Sequence, residues 1–208
     1  LIKLVKNRKN VVLIFNDENL GNCVARNQAI GAATGEYLLM VDGDIAIHTG
    51  MDWLVRYLEG CPECYCMGFN SYECKNDIKL ANKPMPADPI VVTVNYKLKT
   101  IQHVALTQYG MFPAWLFKEA GLKFDEQAPY REPGWGGEDN DLFWGMDKLG
   151  HGEVHYILNA PYHHRRHTGL NQLKEEDISK FKELHDKRRA YFFLKQHNEI
   201  VPCDSEAY

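Results

Sequence analysis

Two acidic motifs carry most of the chemical information in the chain. Asp42-Gly43-Asp44 closes the apolar run Tyr37-Leu38-Leu39-Met40-Val41, and Glu138-Asp139 follows Gly134-Trp135-Gly136-Gly137. A hard divalent cation such as Mg²⁺ or Mn²⁺ takes oxygen ligands, commonly one or two carboxylates completed by phosphate oxygens. Asp42 and Asp44 are expected to supply such carboxylates, with Gly43 letting the backbone turn between them. Gly134, Gly136 and Gly137 would let the backbone pass close to a ligand, and Trp135 offers an apolar face to a sugar ring. Of Glu138 and Asp139, one can take a proton from a hydroxyl while the other orients substrate. The combination suits an enzyme that moves a charged leaving group off a sugar. The plainer readings are a solvated acidic turn and a helix start decorated with acids, which the macrodipole favours. The second accounts for Asp139 and Asp141, but not for the glycines or the tryptophan.

These motifs need a scaffold, and the apolar patterning suggests one. Residues 11–15 are continuously apolar and β-branched, as in a strand buried on both faces. Residues 37–41 read as a second such strand, ending directly in Asp42. Further strands are expected at 65–71, 91–96, 104–109 and 155–158. Helices are expected at 23–33, 51–59, 114–120, 139–149 and 175–197, with helical spacing also in residues 1–9. The last long helix places Ile178, Phe181, Leu184, Tyr191 and Leu194 near one face. Three prolines make residues 75–89 a loop. Strands alternating with helices predict an α/β sheet with helices on both faces. Such sheets bind ligands beyond the carboxyl ends of their strands, where Asp42 to Asp44 would lie.

Composition narrows the classes. The chain has 208 residues, 45% apolar and 25% charged, with a net charge of −4; this is an ordinary globular balance, with no basic surface for nucleic acid. No apolar run approaches the roughly 20 residues that span a bilayer, and no signal-peptide pattern opens the sequence. A cytoplasmic location is the expectation. Cys61, Cys64, Cys66 and Cys74 lie close together, and Cys61-Pro62-Glu63-Cys64 has knuckle-like spacing. A zinc site needs four soft ligands, however, and no second CxxC follows. The simpler reading is free thiols on a turn and a strand, with Cys64 and Cys66 on one strand face.

Taken together, Asn19-Leu20-Gly21, Ala25-Arg26-Asn27, Ala33-Thr34-Gly35-Glu36-Tyr37, Asp42-Gly43-Asp44 and Gly134-Trp135-Gly136-Gly137-Glu138-Asp139 resemble a GT-A glycosyltransferase. The likeness is to glycosyltransferase family 2, with an acceptor segment also similar to that of β-1,4-galactosyltransferases. It covers roughly residues 10–168, and Gly121-Leu122-Lys123-Phe124-Asp125-Glu126 extends it. The resemblance implies inverting transfer from a nucleotide-diphosphate sugar, usually UDP-linked, to a hydroxyl of a glycan, protein or small-molecule acceptor, with Mn²⁺ or Mg²⁺. It implies Asp139 as general base beside Glu138, and Arg26, Asn19, Asp42, Trp135 and Gly137 as substrate-binding residues. Metal ligands would be Asp42, Asp44 and a histidine from Tyr162-His163-His164-Arg165-Arg166-His167, with His164 favoured over His163 and His167. His48, His103, His151 and His155 carry no assignment.

The strand at 11–15 resembles the family's third, so the first two βα units have no counterpart here. The expectation is a GT-A catalytic domain over 1–170, N-terminally incomplete, with a C-terminal amphipathic helix and tail over 171–208. Further polypeptide, from the same gene product or a partner, would then pack beside residues 11–15 and 37–41. The alternatives are a non-catalytic nucleotide-sugar or glycan-binding module, one part of a multi-chain glycosyltransferase, or a metal-dependent phosphohydrolase or nucleotidyltransferase. The intact Glu138-Asp139 pair argues against the first, and the tryptophan-glycine segment against the last.

Overall fold

A computed structural model of the protein describes residues 8–43, 45–47, 49–72, 84–94, 108–127, 138–150, 153–164 and 175–196. Its strands are β1 (Tyr37–Val41), β2 (Ile45–Ala46), β3 (Cys64–Tyr72), β4 (Val91–Val94), β5 (Tyr109–Pro113) and β6 (Glu153–His164). Its helices are α1 (Gly21–Ala32), α2 (Asp52–Gly60), α3 (Trp115–Lys118), α4 (Glu138–Lys148) and α5 (Glu175–Gln196). The strands form one mixed sheet in the order β1-β5-β3-β6-β2, with β4 also paired to β6. β5 is antiparallel to both β1 and β3, and β6 runs parallel to β3. The strands β1, β3 and β6 therefore point the same way, and their carboxyl ends share one end of the sheet.

The pleat sends alternate residues to two cores, each roofed by helices. On one face Leu38, Cys66, Phe112, Val154 and Tyr156 meet Cys23 of α1, Phe117 of α3 and Leu142 and Met146 of α4. On the other, Met67, Phe69, Tyr109, Met111 and Ile157 meet Leu54 and Leu58 of α2. Phe69 and Tyr109 stack there with ring centroids 4.1 Å apart. This is the expected α/β arrangement with helices on both faces.

Several expectations are corrected. Residues 11–15 form no strand: Val12 is 69% and Phe15 68% exposed. Apolar, β-branched composition cannot make a strand without a partner ladder, and among the described residues none pairs with this run. For the same reason β1 is an edge strand whose residues are mostly half-buried rather than fully buried. The expected strand at 104–109 gives way to β5, which begins at Tyr109; residues 101–107 lie outside the described set. Gly110 and Pro113 disguise β5, yet all five of its residues are buried. Cys64 and Cys66 do not share a face. A register shift between them in the pairing with β6 turns them to opposite cores, as an extra strand residue does. Both are free thiols, as is Cys61. On α5, Leu184 is buried and Tyr191 packs on the core, but Ile178 and Leu194 are exposed. Buried Arg188 and half-buried Lys195 take part of the inward face instead.

The exposure of residues 11–15 has a measurable consequence. Changing Val12 and Phe15 to serine should shift the urea midpoint of this chain by no more than a surface substitution does, within about 0.5 kcal/mol each. A loss of about 2 kcal/mol or more, as for truncating a buried side chain, would mean that the run is covered in solution.

Candidate active site

Every feature of the site begins where β1 ends. Val41 pairs with Tyr109, and the Asp42 N–H donates to the Gln108 carbonyl at 2.9 Å, so the chain is held to β5 up to the motif. The Ile45 N–H then donates to the Asp42 carbonyl at 3.1 Å, closing a turn just after Asp42. Gly43 is not forced by this turn. Its φ is not in the left-handed region, and a Cβ there would meet open space.

After the turn, β2 pairs with the end of β6, Ile45 opposite His164 and Ala46 opposite His163. The last strand was expected to span residues 155–158 only. Instead the strand runs on to His164, because its backbone finds partners on both sides, β2 on one and Tyr72 of β3 on the other. The backbone of His163 and His164 thereby lies opposite Ala46 and Ile45, which follow the acidic motif in the chain. Asp44 itself, the side chains of His163 and His164, and His167 lie outside what is described, as do Trp135 and Gly137.

Arg26 links the two acidic motifs. It rises from α1, which starts where Asn19 Oδ1 accepts the Gly21 N–H at 3.0 Å and Gly21 takes φ 82°. Asn19, expected to contact substrate, is exposed and serves here as this helix-start acceptor. The Arg26 guanidinium donates to Asp42 Oδ1 at 3.2 Å and to Glu138 Oε1 at 3.4 Å, and lies 5.4 Å from the Phe124 ring centroid. Burial works against its charge, but Asp42, Asp139 and Glu138 outweigh that and hold its pKa above the ordinary value. One cation therefore gathers acids from residues 42 and 138, distant in sequence, at the carboxyl end of the sheet. Buried Cys23, on the same helix as Arg26, has its thiol pushed up to about 12 by burial and then by the Glu138 charge.

The helix start of α4 fulfils its expectation, with Glu138, Asp139 and Asp141 in its first turn. Glu138 is buried and Asp139 half-buried. Asp141 stands at the helix start as expected, but it is also buried and paired. It is 5% exposed, and its carboxyl accepts from Lys195 Nζ at 2.6 Å. Asn27 was another residue without an assigned role. Its amide accepts the Phe124 N–H at 3.0 Å and donates to the Phe124 carbonyl at 2.9 Å, tying α1 to the chain that leads toward Trp135. In the sequence only its place beside Arg26 could have pointed to it.

A family model described as glycosyl transferase family 2 matches residues 1–117, more than half of the chain. The chain belongs to that family. No curated protein matches it. As a family 2 glycosyltransferase it uses a nucleotide-sugar donor and an acceptor. The match spans Arg26, Asp42 and Asp44, while Glu138 and Asp139 lie beyond it. No helix among the described residues is long and apolar enough to cross a membrane. Among the described residues no three carboxylate, imidazole or thiol side chains are grouped to hold a metal. Cys61 instead lies 3.9 Å from His155 Nδ1, in a polar cluster where His155 also meets Tyr57 at 2.8 Å and Glu153 at 2.9 Å.

Proposed function

We propose that the protein is a metal-dependent inverting glycosyltransferase that moves a sugar from a UDP-linked donor to an acceptor hydroxyl. The observation that carries this reading is the Arg26 guanidinium held between Asp42 and Glu138. It marks one place where a strand-end acid suited to a cation and a helix-start acid pair suited to a hydroxyl converge. What supports a hard cation is that Asp42 is a part-exposed carboxylate and that the His164 backbone pairs with Ile45, a short step along the chain from it. Asp42, Asp44 and His164 would hold it, and Mn²⁺ or Mg²⁺ there would neutralise the diphosphate charge.

The residues of the chain divide the remaining work. Arg26 carries a fixed positive charge and can turn one end from the part-exposed Asp42 toward the donor diphosphate while its other end stays on Glu138. Trp135 gives the sugar an apolar face, and Gly137 lets the backbone come close to it. The acceptor oxygen attacks the anomeric carbon from the side opposite the leaving group, the carbon–oxygen bond to UDP breaks, and configuration inverts. Asp139 takes the hydroxyl proton, and UDP leaves with the electron pair. Glu138, engaged by Arg26, positions rather than accepts.

Calorimetry with UDP, with and without Mn²⁺, tests this. UDP affinity should rise with Mn²⁺ in the native chain, and the rise should vanish in Asp44→Ala with the fold intact. Among single alanine changes at His163, His164 and His167, only the one at His164 should weaken Mn²⁺ binding strongly, and the native contribution should fade in acid as imidazole protonates. Mn²⁺-independent UDP binding would remove the metal from the reading, and equal small effects from all three histidines would remove the histidine ligand.

A further inference from the structure

We infer that Asn27 and Phe124 are positioning residues for the donor side of the site. Asn27 pins the Phe124 backbone, and the Phe124 ring supports the Arg26 guanidinium while that cation exchanges Asp42 for the donor diphosphate. The inference deepens the reading above and rests on its assignment of Arg26 to the diphosphate.

The geometry starts from one side-chain amide. Asn27 Oδ1 accepts the Phe124 N–H at 3.0 Å, and Asn27 Nδ2 donates to the Phe124 carbonyl at 2.9 Å. Both polar groups of one backbone residue are thus held by one side chain, as one rung of a strand ladder would hold them. The second Nδ2 proton goes to Glu126 Oε1 at 2.7 Å, so both amide protons are used. Phe124 is 1% exposed and belongs to the core shared with Cys23 of α1 and Leu142 and Phe143 of α4. Backbone and ring are therefore both fixed. The ring centroid lies 5.4 Å from Arg26 Cζ, within reach of a cation–π contact. Arg26 and Asn27 are consecutive on α1, and consecutive helical residues point about 100° apart. Their side chains do not face each other; Phe124 is what joins them.

The chemistry separates the three restraints on Arg26. Its two ionic contacts are long, 3.2 Å to Asp42 and 3.4 Å to Glu138. Asp42 is the acid that water reaches, at 36% side-chain exposure against 8% for Glu138. A diphosphate oxygen competes with a carboxylate for guanidinium N–H groups, because both are anionic acceptors. It does not compete with an aromatic face, which holds the cation through its ring quadrupole. The Phe124 contact therefore survives the exchange of Asp42 for donor and keeps the guanidinium placed during it. A cation held in advance gives up less freedom on binding. Neither Asn27 nor Phe124 belongs to the proposed donor, acceptor or metal set, so their effect on donor affinity passes through Arg26.

Titration of UDP with Mn²⁺ in a double-mutant cycle tests this path. Asn27→Ala and Phe124→Leu should each weaken UDP binding roughly fivefold, the size of a partly desolvated cation–π contact. In Arg26→Met, adding either change should alter UDP affinity by less than about twofold, since the cation they support is gone. Val55→Ala, which trims the opposite core, is the control for lost stability and should leave UDP affinity native. Phe124→Leu keeps the Asn27 pair with the backbone, so it reads the ring even if Asn27→Ala fails to fold. The ligand-free chain supplies a second readout, the Nε–H resonance of Arg26 in nuclear magnetic resonance, which the ring current of Phe124 displaces. That resonance should move in Phe124→Leu and in Asn27→Ala and stay in place in Val55→Ala. An undiminished loss of UDP affinity in the Arg26→Met background, an equal loss in Val55→Ala, or an unmoved Arg26 resonance in Phe124→Leu would overturn the inference. If the native chain itself binds no UDP, the proposed chemistry fails, while the Arg26 resonance still decides whether Asn27 and Phe124 hold the guanidinium.

Discussion

Asp139→Asn is expected to lower sugar transfer by about 10²–10⁴-fold, the ordinary worth of a general base, with UDP affinity almost unchanged. The amide keeps the size and placement of the carboxylate at the start of α4 but cannot take a proton. The loss should therefore appear in kcat, because the missing interaction belongs to the chemical step. Glu138→Gln should behave differently. Glu138 is buried and tied to Arg26, so its loss should weaken donor binding and stability as well as rate. A rate for Asp139→Asn equal to that of the native enzyme would rule the residue out as base and move attention to Glu138.

Arg26→Met should cost about 3 kcal/mol of stability, the low end for breaking a buried ion pair by removing one partner. The low end applies because the contacts are long, 3.2 and 3.4 Å, and the Asp42 side chain is 36% exposed and can turn to water. Glu138 cannot, at 8% exposure. Most of the cost should therefore come from that one carboxylate, and Arg26→Met with Glu138→Gln should recover the larger part of it in urea melts. Recovery through Asp42→Asn instead would show that the strand-end acid carries the coupling. The same single change should weaken UDP binding, since the guanidinium is then missing from the donor side. Lys195 behaves more simply with pH. Burial pulls its pKa down, but Asp125 and Asp141 hold it above the ordinary lysine value. Its contribution is thus complete at neutral pH and is lost only as pH rises through that raised value.

What could be read from the sequence was what depends on local periodicity and local chemistry. β1 was placed residue for residue, because five apolar residues end in an acid that cannot continue a buried strand. Helices α1, α2, α4 and α5 were placed within two residues, since their apolar spacing and flanking turn residues are encoded nearby. β5 was missed because its burial comes from β1 and β3 on either side, which no window around Gly110 and Pro113 contains. The reversal of Cys64 and Cys66 was missed because a bulge is a property of the pairing, not of one strand. In the site, the acids and Arg26 stood out by type and position. Asn27 and Lys195 did not, because their partners Phe124, Asp125 and Asp141 lie 54 to 97 residues away. The partner of Asp141 was hidden for the same reason: a helix-start acid looks alike in sequence whether it faces water or a lysine from another helix.

The bare run at residues 11–15 also sets how the protein must be handled. Val-Val-Leu-Ile-Phe has no charge, no proline and no glycine and is exposed, and the β1 edge of the sheet likewise has no partner among the described residues. Short segments of this composition stack readily with copies of themselves, and open edges invite the same association. Losses during purification should therefore grow with concentration more than with temperature, as aggregation does and unfolding does not. A single charge in the middle of the run, such as Leu13→Lys, is the gatekeeper change that natural sequences use against it. Leu13 is 39% exposed, so the lysine can reach solvent at little cost to the fold.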